Sequence, residues 1–350
     1  MLFRLTYSIT SMHVQRGDSL PVVVEIDAQR HIKLWMRETK HEGKIVKQLC
    51  CDATLSTTPN KEISSDLKVL ARGQLPLDSP PQVQLPYSTP SQPQLVDKDG
   101  MIANGWLVPF ELLPHRLVDF GRVTASELSK LLKTFVRTLR WRERVSGKHN
   151  PFAHVGFEWS EDGIVWHTFP SEYSVDAWSA EGIDAREQSL RRVAELVIAN
   201  EAEPIAHELA REAFGLFSSS PRSALLIAAS AVETGVKGYI GGLVPETVPL
   251  LEKLQSPSVV VLLQEVIPEL HKRKGHPSKA LPLSRGAEAY LKKWISRRNQ
   301  IAHGRKTALV SKDLREFITF AIQLLYLLDR ERGHDWATAY IDSPLLSFQR

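Results

Sequence analysis

A chain of 350 residues with 43% hydrophobic content has enough apolar material for two ordinary domains, each burying its own core, which excludes a disordered chain. The two cysteines, Cys50 and Cys51, are adjacent, so they cannot staple distant parts of the fold, and a reducing compartment is expected. A formal net charge of +4 is too small to name a partner by itself.

The chain opens Met1-Leu2-Phe3-Arg4-Leu5-Thr6, without the apolar core and cleavage site of a signal peptide. No later run approaches the roughly 18 apolar residues of a membrane span, so the expectation is a cytoplasmic protein with no membrane partner. The first seventy or so residues alternate apolar and polar with many β-branched positions, as in Pro21-Val22-Val23-Val24-Glu25-Ile26 and His31-Ile32-Lys33-Leu34-Trp35-Met36, and predict strands. Six prolines among Gln and Ser between Pro76 and Pro93 remove backbone donors and predict an extended loop. Thr124-Ala125-Ser126-Glu127 has the spacing of a capping box, and Leu128, Leu131, Leu132, Phe135 and Leu139 follow at helical intervals, predicting a helix from there to about Val145. Its basic residues Lys130, Lys133, Arg137, Arg140 and Arg144, with Trp141 nearby, read as a solvated face, or alternatively as a track for a phosphate backbone. Val155 to Trp159 and Ile164 to Phe169 flank Ser160-Glu161-Asp162-Gly163 and predict a hairpin.

A composition shift near Ser179 to Ala185 leads into a region without strand pattern. Helices are predicted at Arg186 to Asn200, at Glu203 to Phe217, after Ser220-Pro221 up to Gly241-Gly242, around Pro257 to His271, from Gly286 to Ala302, and from Ser311 to Arg332. The predicted organisation is multidomain α and β. A β-rich or α+β N-terminal domain spans residues 1–180 with its Pro-rich loop at 76–93, an all-α bundle of four or five helices spans 186–332, and a C-terminal tail covers 333–350.

The richest stretch chemically is Arg298-Asn299-Gln300-Ile301-Ala302-His303. Arginine stays charged at any usable pH, whereas an unperturbed histidine titrates near pH 6.5, so the two together can stabilise a phosphate and move a proton. At about 100° per residue Arg298 falls in the apolar stripe of Ala287, Tyr290, Leu291, Trp294, Ile295, Ile301 and Ala302, so it needs a carboxylate, a cleft or a partner that admits an anion. His303 lies about 140° round from Arg298 on a regular helix, but Gly304 predicts a C′ position that frees the last turn. From His271 to Lys306, eleven Lys or Arg stand against a single acid, Glu288, so a polyanion is attracted to the motif; the alternative is a solvated basic face.

The arrangement from 186 to 332 resembles the HEPN superfamily in two places. Arg298, Asn299 and His303 match that family's Arg-polar-x3-His signature, and Arg222-Ser223-Ala224-Leu225-Leu226 through Glu233 to Lys237 looks like its second helix with an edge glutamate. The resemblance implies a helical bundle that forms a homodimer with two motifs facing one cleft, and a metal-independent endoribonuclease acting on RNA, of the kind found in toxins and phage-defence (antiviral) effectors. It implies catalytic roles for Arg298, His303 and Asn299, a supporting role for Glu233, and RNA contacts from Lys292, Lys293, Arg297, Arg305 and Lys306. Glu233 alternatively pairs only with Lys237 four residues on. No cofactor and no metal are expected: His207-Glu208-Leu209-Ala210-Arg211 lacks the second histidine of a zinc-protease motif, and Gly147-Lys148-His149 is not a phosphate-binding loop. The competing expectation is a non-catalytic module of the same family that binds RNA, a nucleotide or a protein. Residues 1–180 would sense an unidentified trigger or regulator.

Overall fold

The β-branched alternation near the start of the chain builds strands because a pleated backbone turns every second side chain to one face. In the computed structural model these are β1 (Leu2–Ile9), β2 (Met12–Arg16), β3 (Val22–Glu25), β4 (Arg30–His41), β5 (Lys44–Ser56), β6 (Phe152–Ser160), β7 (His167–Thr168) and β8 (Glu181–Asp184). Six form an antiparallel sheet in the order β3-β4-β5-β1-β6-β7, and β2 pairs in parallel with β8. Phe3, Leu5, Ile32, Leu34, Ala53 and Phe157 bury the inner face.

The structure describes residues 1–9, 12–16, 20–41, 44–72, 113–145, 152–169, 181–184, 187–253, 258–275, 281–305 and 308–342. The Pro-rich loop at 76–93, Gly147-Lys148-His149, Lys306 and the tail beyond 342 lie outside them. By internal contacts the chain divides into a unit of residues 1–138 and 151–201 and a second of residues 139–150 and 202–350.

In the first unit α1 (Lys61–Ala71) begins at Asn60, whose side chain accepts the Ile63 N–H at 2.9 Å. Asp66 of α1 accepts from Arg116 of α2 (His115–Arg142) at 2.8 Å, and Phe120 of α2 meets Phe3 of the sheet edge-on at 5.2 Å. α3 (Glu187–Ile198), which the sequence pattern grouped with the helical half, packs beside β3 and counts with this unit.

Two predictions here are corrected. α2 starts at His115, nine residues before Thr124, the N-cap that the capping-box spacing suggests, and Thr124 is buried inside it. The buried row runs Leu117, Gly121, Thr124, Leu128, Leu131, Phe135, and a threonine and a glycine in that row disguise its period. Gly121 is there because a Cβ would sit 2.4 Å from the Phe169 ring. The return strand predicted at 164–169 shrinks to His167–Thr168. Asp162 accepts the N–H groups of Ile164 and Val165 at 2.8 and 3.0 Å and keeps them in the turn, where both side chains are exposed.

The second unit takes in the end of α2 together with α4 (Ile205–Leu216), α5 (Pro221–Leu243), α6 (Val248–Lys253), α7 (Val259–Val261), α8 (Ile267–Arg273), α9 (Arg285–Ala302) and α10 (Ser311–Glu331), with no strand among its described residues. A π turn, Leu262–Val266, joins α7 to α8. Pro268 has no N–H for the carbonyl of Gln264, and the wider turn relieves that clash. α5 runs through Gly241-Gly242, predicted as its stop, to Leu243, because Gly241 lies against Val248, where an added Cβ would be 2.9 Å away. The core is one cluster drawn from α4, α5, α7, the π turn, α8, α9 and α10, including Ala210, Val232, Leu291, Trp294, Phe317 and Leu325. α10 packs closely against α5 at Gly235, where a Cβ would lie 2.2 Å from Leu325 Cδ2.

Candidate functional site

α9 is positioned by its own sequence. Ser284 caps it by accepting the Ala287 N–H at 3.2 Å, and Ala287, Leu291 and Trp294 bury in one row, with the Trp294 ring stacked on Phe317 at 4.8 Å. Arg298 is next in that row, at the point where it leaves the core; its side chain is half-buried.

The partner that an inward arginine requires is Glu233 of α5. Arg298 Nη2 lies 3.4 Å from Glu233 Oε2, and Arg298 Nη1 donates to Asn299 Oδ1 at 3.0 Å. Glu233 Oε1 also meets Lys237 Nζ at 2.8 Å, so the glutamate serves both cations and the two predicted alternatives coexist. At this exposure each ion pair contributes about 0–1 kcal/mol, so the arrangement orients the guanidinium more than it stabilises the fold.

The helix ends as the glycine predicts. Gly304 has φ +76°, its N–H donates to Ile301 O, and the Arg305 N–H donates to Gln300 O, both at 2.9 Å; together they close a Schellman motif. His303 is the C-cap, and its N–H still reaches Asn299 O at 3.0 Å. The helix therefore stays regular to its end and does not carry His303 round toward Arg298. His303 remains about 140° away, on the exposed face of Lys292 and Asn299. The structure brings Arg298, Asn299 and Glu233 together, and the exposed His303 ring has no hydrogen bond, ion pair or ring contact among the described residues.

Of the residues expected to bind RNA, Lys292 and Lys293 are exposed, Lys292 meeting Glu288 one turn back. Arg297 is half-buried with its guanidinium 4.8 Å from the Trp294 ring centroid, and Arg305 is exposed just past the helix end. Lys306 lies outside the described residues.

The sequence pattern missed a second polar cluster in the helical unit. Trp141 and Arg140 were read with the wet face of α2, yet both are buried. Trp141 Nε1 donates to Asp329 Oδ2 at 2.9 Å and His207 Nε2 lies 2.7 Å from the same oxygen. Burial alone would raise the Asp329 carboxyl, but His207, Trp141 and Arg332 together hold it below its ordinary 3.8. An ionised carboxylate only accepts, so Nε2 of His207 carries the hydrogen. The available signal was Asp329 itself, an acid at the end of the apolar run Leu324-Leu325-Tyr326-Leu327-Leu328.

Among the described residues no group of three or more His, Cys, Asp or Glu is placed to hold a metal ion, and no helix is long and apolar enough to cross a membrane. Compared with protein-family models, with curated proteins and with solved structures, the chain matches none.

Proposed function

We propose that the helical unit is a metal-independent endoribonuclease of HEPN type, active as a homodimer. The observation that carries this reading is a guanidinium held at the core's edge by Glu233 and Asn299, on the same helix end as an exposed and unengaged imidazole. An exposed imidazole at the end of a run this basic is placed to meet a polyanion and to move a proton.

The proposed reaction is transesterification. His303 takes the proton from an RNA 2′-hydroxyl; the resulting oxygen attacks the adjacent phosphorus; the bond to the 5′-oxygen breaks and that oxygen gains a proton. Arg298 offsets the charge that builds on the phosphate, and Asn299 orients the phosphate or the arginine. The nucleophile belongs to the substrate, which restricts the reaction to RNA and leaves a 2′,3′-cyclic phosphate and a 5′-hydroxyl. Because Arg298 and His303 diverge on one helix, the site is composite: the arginine of one protomer works with the histidine of its partner across a twofold axis.

The test is incubation of the full-length chain with total RNA in excess chelator. Wild type should cleave and leave cyclic-phosphate ends, while Arg298→Ala and His303→Ala should each lose cleavage and keep the helical circular-dichroism spectrum. Equal cleavage by all three removes the proposal. A second reading, a module that binds RNA without cutting it, is favoured by the Glu233 contact, which already occupies the Arg298 guanidinium. In that case Arg298→Ala weakens RNA retention, His303→Ala does not, and no preparation cleaves.

A further inference from the structure

We propose that the helical unit also carries a binding site for a phosphate group, free or carried by a small monoester, in a pocket formed by the end of α2 with α4 and α10 and distinct from the Arg298 motif. The cavity is about 260 Å³. Its lining residues include four arginines, Arg140, Arg144, Arg211 and Arg315, against one carboxylate, Glu203. That carboxylate is already engaged by Arg211, and both side chains of the pair are buried. Arg144 and Arg315 meet no carboxylate among the described residues, so the lining keeps a positive excess, in walls whose low polarisability strengthens its pull on an anion.

Arg144 shows that the charge is placed at a cost to the backbone. It occupies the C′ position after α2, with its N–H on Trp141 O at 3.3 Å and the Val145 N–H on Arg140 O at 2.9 Å, and its φ is +52°. Glycine is the residue that adopts this conformation freely, as Gly304 does at the end of α9. An arginine kept there is strain at a place where a guanidinium reaches a cavity. Among the described residues its side chain donates to a neutral acceptor, the carbonyl oxygen of Tyr340 at 3.3 Å, which leaves its charge available.

The other walls fit the rest of a small organic phosphate. His207 lines the cavity with its orientation fixed by Asp329. Tyr326 has its hydroxyl committed to Trp141 O at 2.6 Å and so presents its ring, and Phe214 and Ile322 extend the apolar side. Arg315 is exposed, with its guanidinium 5.8 Å from the Phe214 ring centroid. Clustered guanidinium forks suit the several oxygens of a dianionic phosphate better than a lone carboxylate. The volume lies below the roughly 300–1,000 Å³ of drug-sized pockets, which suits a ligand no larger than a mononucleotide.

The experiment is calorimetric titration of the full-length chain with inorganic phosphate, AMP and adenosine at constant ionic strength. Inorganic phosphate and AMP should bind saturably and adenosine should not. Equal affinity for phosphate and AMP assigns the site to free phosphate, and tighter AMP binding assigns it to nucleotides; both support the proposal. Arg144→Gly and Arg315→Ala should each weaken binding by about tenfold or more. Arg144→Gly relieves the backbone, so its melting temperature should not fall, which separates lost binding from lost folding. No saturable binding by either phosphate compound, adenosine binding as tightly as AMP, or unchanged affinity in both variants would overturn it. Arg298→Ala should bind AMP like wild type, so this site stands or falls independently of the proposed nuclease.

Discussion

Replacing Gly235 by alanine tests the packing that sets α5 and α10 together, and hence the position of Glu233. The added Cβ would sit 2.2 Å from Leu325 Cδ2 and 3.3 Å from Ala206 Cβ, both within the core. Leu325 must move by about an ångström in surroundings that are already filled, and overpacking of this kind costs about 1–3 kcal/mol. Alanine recovers about 1 kcal/mol of helix propensity over glycine, leaving a net loss of up to roughly 2 kcal/mol. Gly238, three residues on in the same helix, is exposed and its added Cβ would meet only Arg332 Nη2 at 3.6 Å, an ordinary contact. The identical substitution there should gain about 0.5–1 kcal/mol. Urea unfolding followed by circular dichroism at 222 nm, with calorimetry to resolve the transitions of the two units, reads both changes. Opposite signs are expected. A Gly235→Ala protein as stable as Gly238→Ala would refute the close approach of the two helices.

Other consequences follow from the buried polar groups. Asp329→Ala should cost roughly 3 kcal/mol in urea at pH 7, because Trp141 and His207 lose a buried anionic acceptor. The Asp329 carboxyl is held below 3.8 in the folded chain, so its contribution is full above that value and is lost as the pH falls through the depressed one; the gap between wild type and Asp329→Ala should therefore close in acid, and a gap constant from pH 7 to pH 3 would refute this. Burial, reinforced by Asp52, pushes the Cys50 thiol up to about 11 and Cys51 well above its ordinary value, so neither should react with a thiol reagent at pH 8 until the chain is denatured, when both free thiols should label. Rapid native labelling would contradict that burial.

Much of the helical unit was legible because its cues are local. The row Ala287, Leu291, Trp294, the Ser284 cap and Gly304 fix α9 from neighbours within a few turns, and the same is true of Pro221 at the start of α5. What was not legible depends on distant partners. Trp141 looked like part of a wet basic face because its acceptor, Asp329, is 188 residues away. The capping-box spacing at Thr124 misplaced the start of α2, since only the fold reveals that Thr124 faces the core and that Gly121 makes room for Phe169. At the candidate site, Arg298 and Glu233 came together as the pattern suggested, whereas Asn299, expected to orient a phosphate or His303, accepts from Arg298, and the regular helix end left His303 apart.

That separation makes a subunit-mixing assay the most direct test. Arg298→Ala and His303→Ala proteins, each inactive alone, are mixed, allowed to exchange subunits and assayed on RNA in chelator. A composite cleft predicts recovery to about a quarter of wild-type activity, because random exchange makes half of the dimers mixed and each mixed dimer keeps one of its two sites intact. An inactive mixture, with subunit exchange verified by a tagged copy, would contradict a site built from the arginine of one protomer and the histidine of its partner.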